Sequence, residues 1–197
     1  MTPEFDFAPA ATTLATVVAG ITDDQLGAPT PCADTTVRDL LAHVVDLTEA
    51  FRQAATKEAV GGSVAPSTGP DNPLAADWRT RIPRQLDALV AAWRVDDAWD
   101  GDTEAGGVNM PAPIMARVAL DELVIHAWDL ARATGQDITV SDADLDLLLE
   151  FLHDTPAEGT PGLFGPVVRV SDDAPKVDRL LALTGRAADW SAARSRV

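Results

Sequence analysis

Glu122 and His126 are the residues of this chain best suited to chemistry: they stand four apart in the stretch Asp121–Gly135, DELVIHAWDLARATG. On an α-helix an i,i+4 pair leaves one face with Cβ atoms roughly 5–6 Å apart, so both side chains can reach a single ion. Met115, Val118, Ala119 and Ala133 fall on that same face, which marks it as core. An ionised carboxylate placed there is costly unless it is paired or bound to a metal. Asp129, one turn beyond His126, can orient the imidazole or join the set. A Glu–His hydrogen bond inside a helix interface satisfies the same two residues without any ion, and the pair alone does not choose. A third donor on another helix shifts the balance. His43 lies in VRDLLAHVV, on a helical stripe with Leu40 and Leu47; a histidine in that setting is either a hydrogen-bonded core residue or a metal ligand.

Two histidines and a glutamate on zinc would leave the fourth position open, the pattern of catalytic rather than structural sites. Water in that position has its pKa lowered and opens hydrolysis. A small thiol there is deprotonated and held as a thiolate beside its substrate. Metal affinity is expected to fall as pH drops through the histidine range, because the imidazoles must be neutral to coordinate. Zinc is the expected metal, with nickel the alternative, since the same donors suit several divalent ions. Cys32, the lone cysteine, precedes a predicted helix and reads either as a nucleophile of lowered pKa or as a small buried hydrophobe. No separate His–Asp constellation accompanies it, which favours the buried reading. Trp128 is assigned to packing, and Arg132 to a salt bridge with a nearby acid. His153 is set aside because the loop composition DTPAEGTPG follows it.

These residues must be positioned by helices. Apolar spacing predicts a first helix from about Phe7 to Val18 with Gly20 at its stop, then a helical turn at Asp23–Leu26 and a loop through Pro29 and Pro31. Thr36 and Asp39 form a capping box for a second helix reaching about Ala59. The polar run from Val60 to Pro73 reads as a surface loop. A third helix is expected from about Leu74 to Trp93, kinked or restarted at Pro83, followed by an Asp- and Gly-rich segment with an extended piece at Val108–Met110. The fourth helix, about Pro113 to Thr134 and closed by Gly135, carries Glu122, His126 and Asp129. Ser141 with Asp144 caps a fifth helix through Leu145, Leu148, Leu149 and Leu152. The run Pro166–Val170 is expected to be a strand pairing with Val108–Met110. A last helix spans about Ala174 to Thr184, stopped by Gly185, and Trp190 anchors the tail.

The 197 residues, 46% of them hydrophobic, suit one domain with a sizeable core: a helix bundle over about residues 6–134 and a helical extension over about 135–190. Acidic residues outnumber basic ones 31 to 15, and the net charge of −16 opposes binding to nucleic acid or to anionic membranes. One cysteine excludes an intrachain disulfide, no apolar run approaches the ~20 residues of a membrane span, and no basic leader precedes Glu4 and Asp6. A cytoplasmic monomer or homodimer is expected.

The segments PTPC at Pro29–Cys32, VRDLLAHVV at Val37–Val45, VIHAWDLARATGQ at Val124–Gln136, FGPVV at Phe164–Val168 and DRLLALTGR at Asp178–Arg186 together resemble the actinobacterial metal-binding family of the DinB/YfiT-like superfamily, related to the N-terminal domain of mycothiol-dependent maleylpyruvate isomerase. The resemblance covers nearly the whole chain. It implies a mainly α fold: a DinB-like four-helix bundle with a short β-hairpin or strand pair and extra C-terminal helices. It also implies that His43, Glu122 and His126 hold the metal, and that the activity is S-transfer or isomerisation of an electrophilic substrate with a small thiol of mycothiol type. The alternative is a metal-binding helical protein without catalysis. The chain departs from the family pattern at Thr35, where tryptophan is usual after the PTPC loop.

Overall fold

A computed structural model describes residues 2–64, 69, 71–160 and 163–192. Parts of the expected surface loop (65–68 and 70), of the loop after His153 (161–162) and of the tail (193–197) lie outside the described residues. Six α-helices are found among the described residues: α1 Ala8–Gly20, α2 Val37–Thr56, α3 Trp78–Trp93, α4 Ala112–Thr134, α5 Asp142–Phe151 and α6 Lys176–Leu183. The first four close a ring in which α1 packs on α3 and α4, and α2 packs on the same two from the other side. The fold is mainly α, a four-helix bundle with a short β-hairpin and two further helices after it, as expected.

Local chemistry sets the helix ends. Thr36 Oγ1 accepts from the Asp39 amide at 3.3 Å while Asp39 Oδ2 accepts from the Thr36 amide at 3.1 Å, so two orphan donors at the start of α2 are satisfied. At the other end Lys57 adopts a left-handed conformation, φ 63°, and stops α2 just short of its expected end. Gly135, φ 71°, closes α4 in the same way. Fifteen of the 23 residues of α4 are buried, which makes α4 the central helix rather than an amphipathic surface one. It contacts α1, α2, α5 and the β-hairpin. At one end of the bundle the indoles of Trp93 and Trp99 stack edge to face, with ring centroids 5.5 Å apart, against Phe7. Trp93 Nε1 donates to the Phe51 carbonyl at 3.1 Å and Trp99 Nε1 to the Trp93 carbonyl at 2.7 Å, so neither buried N–H is orphaned.

Two expectations are corrected. Helix α3 begins at Trp78, not at Leu74, and runs through Pro83 without a break. Pro83 is the sixth residue of α3, so it forgoes the N–H bond to the Arg79 carbonyl, and the helix continues past it. The partner of the 108–110 segment is also different. Strand β2, Val108–Pro111, pairs antiparallel with β1, Asp102–Ala105, while residues 166–170 form no strand. Between the strands Gly106 and Gly107 take φ of 61° and 78°, the two positive values a tight hairpin turn requires. The 166–170 segment is tied instead to the end of α6, where the Val168 amide donates to the Ala182 carbonyl at 3.0 Å.

Candidate metal centre

His43 stands on the second turn of α2, and Glu122 and His126 stand on the middle turns of α4. Packing of α2 on α4 brings the three together: one ligand-type atom from each lies within 4.8 Å of the others. Glu122 Oε2 is 2.8 Å from His126 Nε2 and 3.9 Å from His43 Nε2. The two imidazoles meet edge to face at 5.2 Å between centroids. His126 is buried, while the side chains of His43 and Glu122 keep 15% and 21% of their surface exposed, so the cluster opens to solvent on that side.

Hydrogen bonding around His126 decides its chemistry. Its Nδ1 lies 3.1 Å from Asp129 Oδ2, and an ionised carboxylate can only accept, so Nδ1 carries the proton and donates. The same ring turns Nε2 toward Glu122 Oε2. In the neutral imidazole a lone pair would then face a carboxylate lone pair, so something positive belongs at Nε2: a second proton or a metal ion. Burial alone would pull the His126 pKa down; Asp129 and Glu122, flanking the ring, overcome it and raise the pKa to about 10. For Glu122 burial opposes ionisation, but hydrogen bonding and charge from His126 and His43 outweigh it and hold the carboxyl well below its usual range. His43 Nδ1 is buried and has no hydrogen-bond partner among the described residues.

Asp129 is wholly buried and is gripped from the far side by Arg186: Nη2 donates to Oδ2 at 2.9 Å and Nε to Oδ1 at 3.3 Å. Cys32 sits half-buried in the loop before α2. Asp121 is buried beside the cluster with Oδ1 unpartnered among the described residues; burial, then the neighbouring Glu122 charge, push its pKa up to about 8. The Pro29–Thr36 loop is held by its own bonds, with the Thr30 amide donating to the Thr35 carbonyl at 3.0 Å, so a threonine at 35 leaves the loop closed. His153 is exposed, pairs with Asp154, and is not among the clustered donors. Trp128 is buried, as its packing assignment required, but Arg132 donates to the Trp190 carbonyl at 2.7 Å rather than to an acid. Residues that sequence reasoning missed are Asp121 and Arg186. Arg186 lies 57 positions from Asp129, beyond the reach of any spacing rule. A cleft of about 670 Å³ lies between α1 and α3, lined by small residues such as Ala11, Ala15 and Ala19, and contains none of the candidate donors.

Residues 7–131 match the family described as the mycothiol maleylpyruvate isomerase N-terminal domain. The chain belongs to that family. All three clustered donors, and Asp129, fall inside the segment that defines family membership. Relatives include uncharacterized proteins from two strains of Mycobacterium tuberculosis, H37Rv and CDC 1551, each 30% identical over 180 residues that cover 87% of this chain and 91% of the relative. In structure the chain is similar to a crystal structure of mycothiol-dependent maleylpyruvate isomerase, with a TM-score of 0.65 at 17% identity over 93% of this chain and 88% of that one. A histidine-to-alanine mutant of that isomerase gives a TM-score of 0.57 at 17% identity, over 74% of this chain and 66% of that one. At this identity the likeness shows the fold alone.

Proposed function

We propose that this chain is a divalent-metal-dependent enzyme that uses a small thiol of mycothiol type, as an isomerase or S-transferase, with His43, Glu122 and His126 as the metal ligands. The observation that carries the reading is the convergence of three donors from two helices, with His126 Nε2 2.8 Å and His43 Nε2 3.9 Å from Glu122 Oε2, while Asp129 occupies the opposite nitrogen of the His126 ring. A third donor, His43 from a different helix, faces the same carboxylate oxygen, which is more than a helix-interface hydrogen bond needs. Membership of the isomerase N-terminal domain family supports the thiol.

Zinc fits a His2Glu donor set, and such a set leaves a fourth position open; a bound divalent ion would supply there the positive charge that favours thiolate over thiol. The residues do the rest. Asp129 fixes the His126 tautomer and keeps Nε2 free for coordination. Glu122 contributes the negative charge that partly neutralises a dication, and burial of His126 limits competing water. In S-transfer the thiolate sulfur forms a bond to carbon while the leaving group departs with its electron pair. In isomerisation the sulfur adds to an electron-poor cis double bond, the resulting single bond rotates, and the same sulfur is expelled.

The test is metal analysis followed by thiol titration. Purified chain should hold one divalent ion per molecule, and the cobalt-substituted protein should develop a sulfur-to-metal charge-transfer band on adding mycothiol. If no thiol binds the metal-loaded chain more tightly than the metal-free chain, the thiol reading is lost, and hydrolysis or metal binding without catalysis takes its place.

A further inference from the structure

We propose that Arg186 is a positioning residue of this centre: from outside residues 7–131, the stretch that matches the isomerase N-terminal domain, it reaches back to lock Asp129 and through it the His126 ring. The inference rests on the metal-centre reading above. The sequence DRLLALTGR builds the device locally. Helix α6 ends at Leu183, Gly185 follows with φ 78°, and the Arg186 amide donates back to the Leu181 carbonyl at 2.8 Å. This is the reversal by which a glycine after a helix turns the next residue back across the helix end. Glycine suits position 185, because φ is 78° and a Cβ there would lie 3.0 Å from the Gly165 backbone.

Turned inward, the guanidinium is placed by three bonds. Nη1 donates to the Thr184 carbonyl at 2.9 Å, while Nε and Nη2 fork onto the two oxygens of Asp129. Asp129 is 0% exposed and Arg186 9%, so the pair is desolvated and its planar fork determines how the carboxylate is rotated. That rotation is what His126 reads, because Oδ2 accepts both from Arg186 Nη2 and from His126 Nδ1. Without Arg186 the carboxylate keeps only the bond from His126 Nδ1 and loses the fork that fixes its rotation. Outer partners of a ligating histidine are worth roughly ten- to a hundredfold in metal affinity.

The experiment measures zinc affinity by competition with a chromophoric chelator, together with the NMR signal of the His126 Nδ1 proton in the metal-free chain. Arg186→Met is expected to weaken zinc binding at least tenfold and to lose the downfield, exchange-protected ring proton. Arg186→Lys, which keeps the charge but not the fork, is expected to lose less. Arg186→Met leaves the buried Asp129 with His126 as its remaining partner, so the chain is also tested as Asp129→Asn with and without Arg186→Met. The double variant buries no isolated charge, and removing Arg186 in the Asp129→Asn background is expected to change affinity by less than twofold. Wild-type zinc affinity and an intact ring-proton signal in Arg186→Met would overturn the inference while leaving the metal centre standing. Absence of zinc binding by the wild-type chain would overturn the metal centre itself, and the ring-proton signal would then decide the role of Arg186 alone: loss in Arg186→Met supports it, persistence refutes it.

Discussion

Raising the pH should strengthen metal binding well above the range in which histidines ordinarily titrate. Burial works against the charged form of His126, but Asp129 on one side and Glu122 on the other prevail, and the folded metal-free chain holds that proton up to a pKa of about 10 instead of 6.5. A metal can occupy Nε2 only after the proton leaves. At pH 7, some three units below that pKa, displacing it costs on the order of 4 kcal/mol, at about 1.4 kcal/mol per unit. The sign follows from linkage. The stability that His126 protonation contributes to the metal-free chain is fully present below 6.5 and lost as pH rises through about 10. Metal affinity runs the opposite way, rising close to tenfold per pH unit across the same window. Isothermal titration of zinc into metal-free chain at pH 7.5, in buffers of different ionisation enthalpy, should count at least one proton released per metal. An affinity flat between pH 7 and 9, with no proton released, would refute the argument, because His126 would then already be neutral beside two carboxylates.

Alanine at His43 or His126 should each abolish stoichiometric metal while leaving the far-ultraviolet helical signal in place, since α2 and α4 are held by aliphatic packing; Cys32→Ser should leave metal content unchanged, and loss of metal there would bring the thiol into the ligand set. Asp121 has its carboxyl pushed up from 3.8 to about 8 by burial and by Glu122, so it contributes stability that is fully present below 3.8 and lost as pH rises through 8. Asp121→Asn should therefore stabilise the metal-free chain at pH 8 relative to pH 4, by at least ~1.4 kcal/mol compared with wild type, measured by urea unfolding at the two pH values. Trp93→Ala removes a side chain that is 1% exposed, donates to the Phe51 carbonyl and stacks on Trp99. It should cost about 3–5 kcal/mol, seen as a fall in the urea midpoint with the denaturant slope unchanged.

Much of this protein was legible along the chain because the deciding interactions are local. The capping box at Thr36 and Asp39, the left-handed stop at Gly135 and the Ser141 cap of α5 are each made by residues within four positions of one another. The placement of Glu122, His126 and Asp129 on one helical face follows from 3.6 residues per turn. The β-hairpin was legible too, in the Gly106–Gly107 pair flanked by short polar-apolar runs, yet the apolar run at 166–170 drew the strand assignment away from it; β-propensity marks a residue that fits a half-buried surface, not one that has a partner.

What only the tertiary structure decided are the meetings between distant segments. Whether His43 was a core histidine or faced Glu122 depended on which neighbours α2 has in the bundle, and its own stripe with Leu40 and Leu47 suits either. Arg186 lies outside every spacing rule that found the other residues. Its role depends on α6 docking where the reversal at Gly185 aims the guanidinium at Asp129. Periodicity records which face a residue occupies, because that is set by backbone geometry. Which buried charge will meet it across the core is set by packing and desolvation of whole elements, and those act only once the chain has closed on itself.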